Sequence, residues 1–117
     1  MLFRVDPSQV APLADQIAGC VRRALTDGVL RAGDRLPAGR ELAASLGVNM
    51  HTVLRAYAEL RDEGLIELRP GRGATVTGGD PGERARLLGA VRELVATARR
   101  AGVDPDEVLS LVRREYT

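Results

Sequence analysis

The stretch from Leu36 to Tyr57 constrains the fold most, because it predicts two short helices joined by a single glycine. The first helix is expected to begin just inside Pro37, since the fixed φ of proline suits a first helical turn. Its apolar residues then recur at helical spacing as far as Leu46. Gly47 supplies the sharp turn that follows. This order of elements predicts a helix-turn-helix, although a tight αα-hairpin in a small helical domain is an alternative for these residues taken alone.

The second helix of this motif is expected to have one buried and one free face. Asn49 is predicted to cap it by accepting a hydrogen bond from the amide of Thr52. The buried stripe consists of Val53, Ala56, Tyr57 and Leu60. The free face, near the helix start, consists of Met50, His51, Leu54 and Arg55. In helix-turn-helix proteins the start of the second helix enters the major groove of DNA.

A β-hairpin is predicted directly after these helices. Residues 65–69 and 74–77 each alternate between apolar and polar side chains, and the turn residues between them include Gly71, Arg72 and Gly73. Glycine on both sides of an arginine removes side-chain bulk from a loop that approaches a phosphate backbone or a narrow minor groove. The alternative is a surface hairpin that does not contact DNA, because such a hairpin has the same alternation. Following a helix-turn-helix, the hairpin is interpreted as a wing.

These segments together resemble the GntR family of bacterial transcription regulators, from about Pro12 to Val76. The matching motifs are Gly33–Pro37, Arg40–Ala43, Leu46–Asn49, Thr52-Val53, Ala56-Tyr57, Glu63–Ile66 and Gly71–Gly73. Asn49, Ala56-Tyr57 and the short chain are most similar to the YtrA-like subfamily. The resemblance implies an α+β fold with an N-terminal winged helix-turn-helix that binds DNA.

The sequence departs from the family pattern in two ways. Met50 and Leu54 occupy a surface where many members carry a second arginine, so base readout is not carried over from those relatives. Both apolar side chains suit contact with a thymine methyl group. Ala38 replaces a common serine, which removes one hydroxyl that caps a helix or contacts phosphate.

The predicted DNA contacts combine the free face of the second helix with positions that the resemblance implies. They are Arg40, Asn49, Met50, His51, Thr52, Arg55, Arg69, Gly71, Arg72 and Gly73. Three of them have a simpler alternative. The alternative for Arg40 is a surface ion pair near Glu41, and for His51 it is plain solvent exposure. For Arg55 it is an ion pair with Glu59, four residues further on.

The C-terminal part is predicted to form two short amphipathic helices. Asp80-Pro81 and Asp104-Pro105 are helix-start signals, and Gly102 separates the two helices. The division is therefore a winged helix-turn-helix over residues 1–78 and a two-helix dimerisation hairpin over residues 79–117. Packing of this hairpin on its own winged domain is the alternative. The predicted dimer interface is Leu87, Leu88, Val91, Leu94, Val95, Val108, Leu111 and Val112.

The N-terminal segment gives weaker signals. Leu2, Phe3 and Val5 are expected to form a short edge strand, and the first helix is expected to start near Pro12, because proline is costly inside a helix. Asp27-Gly28 is expected to end that helix.

Charge and composition exclude several classes of protein. The 117 residues carry 17 basic and 16 acidic side chains, a net charge of +1, so few phosphate contacts per subunit and a dependence on dimerisation are expected. Cys20 and His51 are the single cysteine and histidine, which leaves no zinc cluster and no nucleophile with a base. We therefore expect no enzyme, no metal and no cofactor. No membrane-spanning stretch or signal peptide is present, which predicts a cytoplasmic location.

The sequence as a whole predicts a dimeric, sequence-specific DNA-binding transcription regulator. Its partners are double-stranded operator DNA and a second copy of the chain, with no effector indicated. The subfamily resemblance favours a repressor of its own or a neighbouring operon, with transporter genes suggested. The alternative is a winged-helix protein-interaction module without DNA binding.

Overall fold

The computed structural model describes residues 3–70 and 73–116, which form five α-helices and one antiparallel pair of strands. The elements in chain order are α1 (Leu13–Thr26), α2 (Gly39–Leu46), α3 (Met50–Asp62), β1 (Ile66–Arg69), β2 (Gly73–Val76), α4 (Pro81–Ala101) and α5 (Pro105–Glu115). The predicted α+β winged helix-turn-helix is confirmed.

The core of the winged domain lies between α1, α2 and α3. Ile17 and Val21 of α1, Leu42 of α2, and Val53 and Leu60 of α3 are almost completely buried. Each such side chain contributes about 1.5–3 kcal/mol through removal of apolar surface from water. The polar residues between them remain at the surface, so burial of these stripes fixes which face of α3 is free.

The joint between α2 and α3 is a single left-handed residue, as the sequence predicts. Gly47 adopts φ 68° and ψ 33° at the C-terminus of α2. The start of α2 differs from the prediction, because Pro37 and Ala38 precede the helix and Ala38 is its extended N-cap without a side-chain hydrogen bond. The carbonyl of Pro37 instead accepts a hydrogen bond from Tyr57.

The hairpin is joined to the core on one side. Ile66 pairs with Val76 and Arg69 pairs with Gly73. The backbone of residues 33–36 lies beside β2, where the amide of Leu36 donates to the carbonyl of Ala74 at 2.9 Å. Ala74 and Val76 are buried, whereas Arg69 is exposed. The hairpin is therefore rooted in the apolar core, and its far end extends from it.

The predicted N-terminal edge strand is wrong for the residues that the structure describes, and Leu2 lies outside them. Residues 3–5 form no strand. Asp6 instead accepts hydrogen bonds from the amide and hydroxyl of Ser8, which lower the pKa of its carboxyl group. The backbone of Asp6 also exchanges hydrogen bonds with the side-chain amide of Gln16. Within the predicted strand segment, the carbonyl of Arg4 accepts a hydrogen bond from the Cys20 thiol of α1 rather than from a neighbouring strand. Helix α1 begins next to Pro12 as predicted.

The C-terminal helices begin at the predicted caps. The Asp80 carboxylate accepts a hydrogen bond from the amide of Glu83, and Asp104 accepts one from Glu107. Gly102, with φ 70°, follows the end of α4. The chain divides into two compact units within α4, one that ends at Arg86 and another that begins with the next residue.

Candidate nucleic-acid interface

The N-terminus of α3 is capped by Asn49, but through a different amide from the predicted one. The Asn49 Oδ1 atom accepts a hydrogen bond from the amide of His51 at 2.8 Å. The amide of Thr52 donates instead to the Asn49 backbone carbonyl at 3.0 Å, closing the first turn. The predicted bond from Thr52 to the side chain is therefore wrong, because with Asn49 extended at φ −70° and ψ 139° its carboxamide reaches the second helical residue. One side chain still orders the start of the helix.

The exposed face of α3 is the one predicted from its apolar period. Val53, Ala56 and Tyr57 are buried, which turns the opposite side outward. On that side His51 and Arg55 are exposed, and Leu54 is exposed over 43% of its surface. Met50 and Thr52 are half-buried.

A buried tyrosine fixes α3 to the segment that leads into α2. The Tyr57 hydroxyl donates a hydrogen bond to the carbonyl of Pro37 at 2.7 Å. Burial raises the pKa of this hydroxyl, so the phenol keeps its proton. The two helices of the motif are thus connected by a polar contact as well as by their apolar core.

The C-terminal end of α3 is held against α1 by an ion pair that the sequence does not reveal. Arg22 donates from Nε and Nη2 to the two carboxylate oxygens of Glu63 at 2.9 and 2.6 Å, and it lies 3.2 Å from a Glu59 oxygen. Burial alone lowers the pKa of Arg22, but the hydrogen bonds and negative charges of Glu63 and Glu59 raise it overall. The partners are 41 residues apart in the sequence, so no local pattern indicates them.

This arrangement leaves two predicted DNA-contacting arginines available. Glu59 pairs with Arg22, and within residues 3–70 and 73–116 no ion pair or hydrogen bond is found for the side chain of Arg55. Arg40, exposed in the first turn of α2, likewise has none with any described residue. Both guanidinium groups are therefore free to bind phosphate or a base edge.

Arg69 on the hairpin has an intramolecular partner. Its Nη2 lies 3.0 Å from a carboxylate oxygen of Glu67, and both side chains are about half exposed. An exposed pair of this kind contributes about 0–1 kcal/mol to stability. A phosphate therefore competes for Arg69 at small cost.

A shallow apolar hollow lies between α3 and the hairpin. It has a volume of 330 Å³ and brings two predicted hairpin contacts, Arg69 and Gly73, next to Leu54. The lining is Ala38, Gly39, Leu54, Tyr57, Leu68, Arg69, Pro70, Gly73 and Ala74. Gly73 adopts φ 75°, as the residue after the turn requires. The predicted contacts Gly71 and Arg72 lie outside the described residues.

A second candidate surface is an apolar groove between α4 and α5, which we call the hairpin groove. It has a volume of 530 Å³ and is lined by Val91, Leu94, Val95, Ala98, Arg99, Val103, Pro105, Val108, Leu109 and Val112. The predicted residues Leu87, Leu88 and Leu111 are not in this lining, and Leu87 is 60% exposed. Val103 and Leu109 line the groove but are not among the predicted interface residues, although Pro105, Val108, Leu109 and Val112 follow the helical period.

Comparison with known proteins decides the family. The model of the family described as bacterial regulatory proteins, gntR family, matches residues 13–76. The chain belongs to the GntR family. It is 30% identical to the HTH-type transcriptional repressor YtrA of Bacillus subtilis, across 92% of this chain and 86% of that one. It is 37% identical to the HTH-type transcriptional regulator Rv1152 of Mycobacterium tuberculosis, across 92% and 88%.

The solved structures agree with the sequence relatives. YtrA from Sulfolobus acidocaldarius, a GntR-family transcription factor, is 33% identical and superposes with a TM-score of 0.64, covering 97% of this chain and 96% of that one. The predicted YtrA-like resemblance is therefore confirmed. This GntR-family chain is a DNA-binding transcriptional regulator.

Two further findings concern other classes of site. Among the described residues, no group of three or more His, Cys, Asp or Glu side chains is placed to hold a metal ion. No helix in the described part of the chain has the length and apolar character needed to cross a membrane. The relatives named above are regulators rather than enzymes.

Proposed function

We propose that this GntR-family protein is a homodimeric repressor that binds a two-fold operator in its own or a neighbouring operon. The observation that carries the proposal is the apolar hairpin groove, exposed on a chain whose recognition helix is also exposed. DNA binding is assigned to residues 1–78 and dimerisation to residues 79–117. A regulator of this kind acts on the chromosome, in the cytoplasm.

The proposed DNA contacts divide into base readers and phosphate binders. Met50 and His51 lie in the first turn of α3, the part that reaches base edges in helix-turn-helix complexes. Asn49 and Thr52 order this turn and lie close enough to its N-terminus to contact phosphate. The phosphate binders are Arg40, Arg55, Arg69 and Arg72, with Gly71 and Gly73 allowing close approach of the wing.

The dimer proposal follows from the apolar side chains that each monomer leaves in water. Leu94 and Val95 are each 40% exposed, Leu109 is 55% exposed and Val112 is 37% exposed, all in one groove. A contiguous apolar surface of this kind marks an interaction site in a protein that folds in water. A second copy of the chain supplies the same surface, and a two-fold dimer matches two half-sites of an operator.

The repressor assignment is supported by the Bacillus subtilis relative, whose name is that of a transcriptional repressor. The YtrA-like resemblance suggests transporter genes as the regulated neighbours. Binding upstream of the protein's own gene then blocks transcription of the whole operon.

A mobility-shift titration with a duplex from upstream of the protein's own gene tests the proposal. We expect one complex that contains two chains, with weaker binding for Arg40→Ala and Arg55→Ala. Arg61→Ala is the matched control, because Arg61 is an exposed arginine near the end of α3 that pairs with Asp62. No complex with this duplex, or a complex with one chain per duplex, contradicts the proposal. Equal affinities for all three variants contradict the assigned arginines.

A further inference from the structure

Leu54 is an exposed apolar side chain on the face of α3 that is proposed to enter the major groove. It lies one helical turn after Met50, on the outward face of α3, and 43% of its surface is exposed. A leucine cannot donate or accept a hydrogen bond. Most base edges in the major groove present hydrogen-bond donors or acceptors. Packed against a leucine, these groups lose their hydrogen bonds to water and gain none in return.

Gly39 determines where the Leu54 side chain lies. A β-carbon placed on Gly39 would lie 2.9 Å from Leu54 Cδ2 and 3.6 Å from its Cγ. The Leu54 side chain therefore lies directly against the backbone at the first residue of α2. Any larger residue at position 39 requires Leu54 to move. The two positions form a pair across the helix-turn-helix.

The surroundings of Leu54 are also apolar. It forms one wall of the 330 Å³ hollow, whose other walls include Tyr57 of the same helix and Leu68 of β1. Leu68 is 36% exposed, and Arg69 is the charged residue among those that line the hollow. A base edge that meets Leu54 therefore meets a water-poor surface with one cation at its margin.

We propose that Leu54 reads the C5 methyl group of a thymine in the operator, and that Gly39 is a positioning residue for this contact. The inference rests on the proposed binding of α3 in the major groove. The thymine methyl is the apolar group that a base pair displays there, so it is the feature that Leu54 accepts without leaving a polar atom unpaired. Cytosine in the same place has a hydrogen at C5 instead of the methyl group, next to its polar amino donor.

Replacement of thymine by deoxyuridine tests this contact, because it removes the methyl group and keeps the base pair. The probe is a duplex that the wild-type protein selects from a random-sequence pool. Each thymine of a half-site, with its symmetry mate, is replaced in turn, and affinity is measured by fluorescence anisotropy. At one position we expect the replacement to weaken wild-type binding about three- to tenfold per half-site, as loss of a buried methyl group requires.

The variants identify the residue that senses the methyl group. Leu54→Ala should bind the thymine duplex and the deoxyuridine duplex equally at that position. Gly39→Ala should reduce the discrimination, because the new methyl group displaces Leu54. Val29→Ala is the matched control, because Val29 is an exposed apolar residue that does not line the hollow, and it should retain the full discrimination.

Several results overturn the inference. It is wrong if every deoxyuridine replacement is neutral, if the selected half-site contains no thymine, or if Leu54→Ala keeps the discrimination while Met50→Ala loses it. In each of these cases the protein still binds its selected duplex, so the proposed function stands. A protein that selects no duplex overturns the proposed function and this inference together.

Discussion

Truncation of Leu94 should weaken the proposed dimer without unfolding the chain. Leu94 lines the hairpin groove from α4 and is 40% exposed in the isolated chain. In the dimer this remaining surface is expected to be covered by the partner. Leu94→Ala removes most of that contact, and two-fold symmetry applies the loss twice.

The expected size of the effect follows from the exposed area. Forty per cent of a leucine side chain is about 70 Å², which at about 25 cal/mol per Å² is worth about 1–2 kcal/mol in each protomer. Both protomers together lose about 2–4 kcal/mol, which raises the dimer dissociation constant about 30- to 700-fold. Leu94→Asp should have a larger effect, because it also places an unpaired carboxylate in an apolar interface.

Sedimentation equilibrium over a range of protein concentrations measures the dissociation constant directly. Thr97→Ala is the control, since Thr97 is exposed on the same helix and does not line the groove. Far-ultraviolet circular dichroism should show the same helix content in wild type and variants. A wild-type protein that is monomeric at tens of micromolar, or a Leu94→Ala protein that dimerises like wild type, refutes the argument.

Three other changes have defined outcomes. Asn49→Ala removes the cap of α3 and should lower the free energy of unfolding by about 0.5–2 kcal/mol in denaturant titration, with Asn49→Asp restoring most of it. Arg22→Ala leaves Glu63 without its bidentate partner and should lower the free energy of unfolding by about 2–4 kcal/mol in the same assay. Arg61→Ala, at an exposed pair, should lower it by less than about 0.5 kcal/mol. Equal losses for the two variants would contradict the assigned ion pair. A chain that ends at Arg86 should fold but bind a two-half-site operator about 10²- to 10⁴-fold more weakly, while its affinity for one half-site stays unchanged.

The helices and the hairpin were predictable because their signals are local. The apolar period of α3 extends over about two turns, from Val53 to Leu60, and Gly47 and Gly102 stand where the chain must take a left-handed conformation. Asp80 and Asp104 both form the caps that the sequence predicts. Each of these features depends on residues within a few positions of one another, so the sequence alone carries the information.

The features that sequence reasoning missed depend on contacts between distant segments. Arg22 meets Glu63 across 41 residues, and it also pairs with Glu59, the residue that was the alternative partner of Arg55. Gly39 and Leu54 come together only because Gly47 turns α3 back across α2. The apolar period of α4 likewise predicts an apolar stripe, but it does not show which residues of that stripe lie beside α5 in the groove.

The charge distribution supports the proposed dependence of DNA binding on dimerisation. The net charge is +1, and some cations are already paired within the chain, as Arg22 and Arg61 are with nearby carboxylates. Sequence-independent affinity for DNA rises with the number of phosphates that free cations neutralise. We expect that number to be small for each protomer. The apolar residues Met50 and Leu54 of α3 are proposed to add discrimination between bases, and uncharged side chains add little general attraction to DNA. We therefore expect a monomer to bind any DNA weakly, and in the proposed dimer tight binding comes from two joined chains that occupy two half-sites at once.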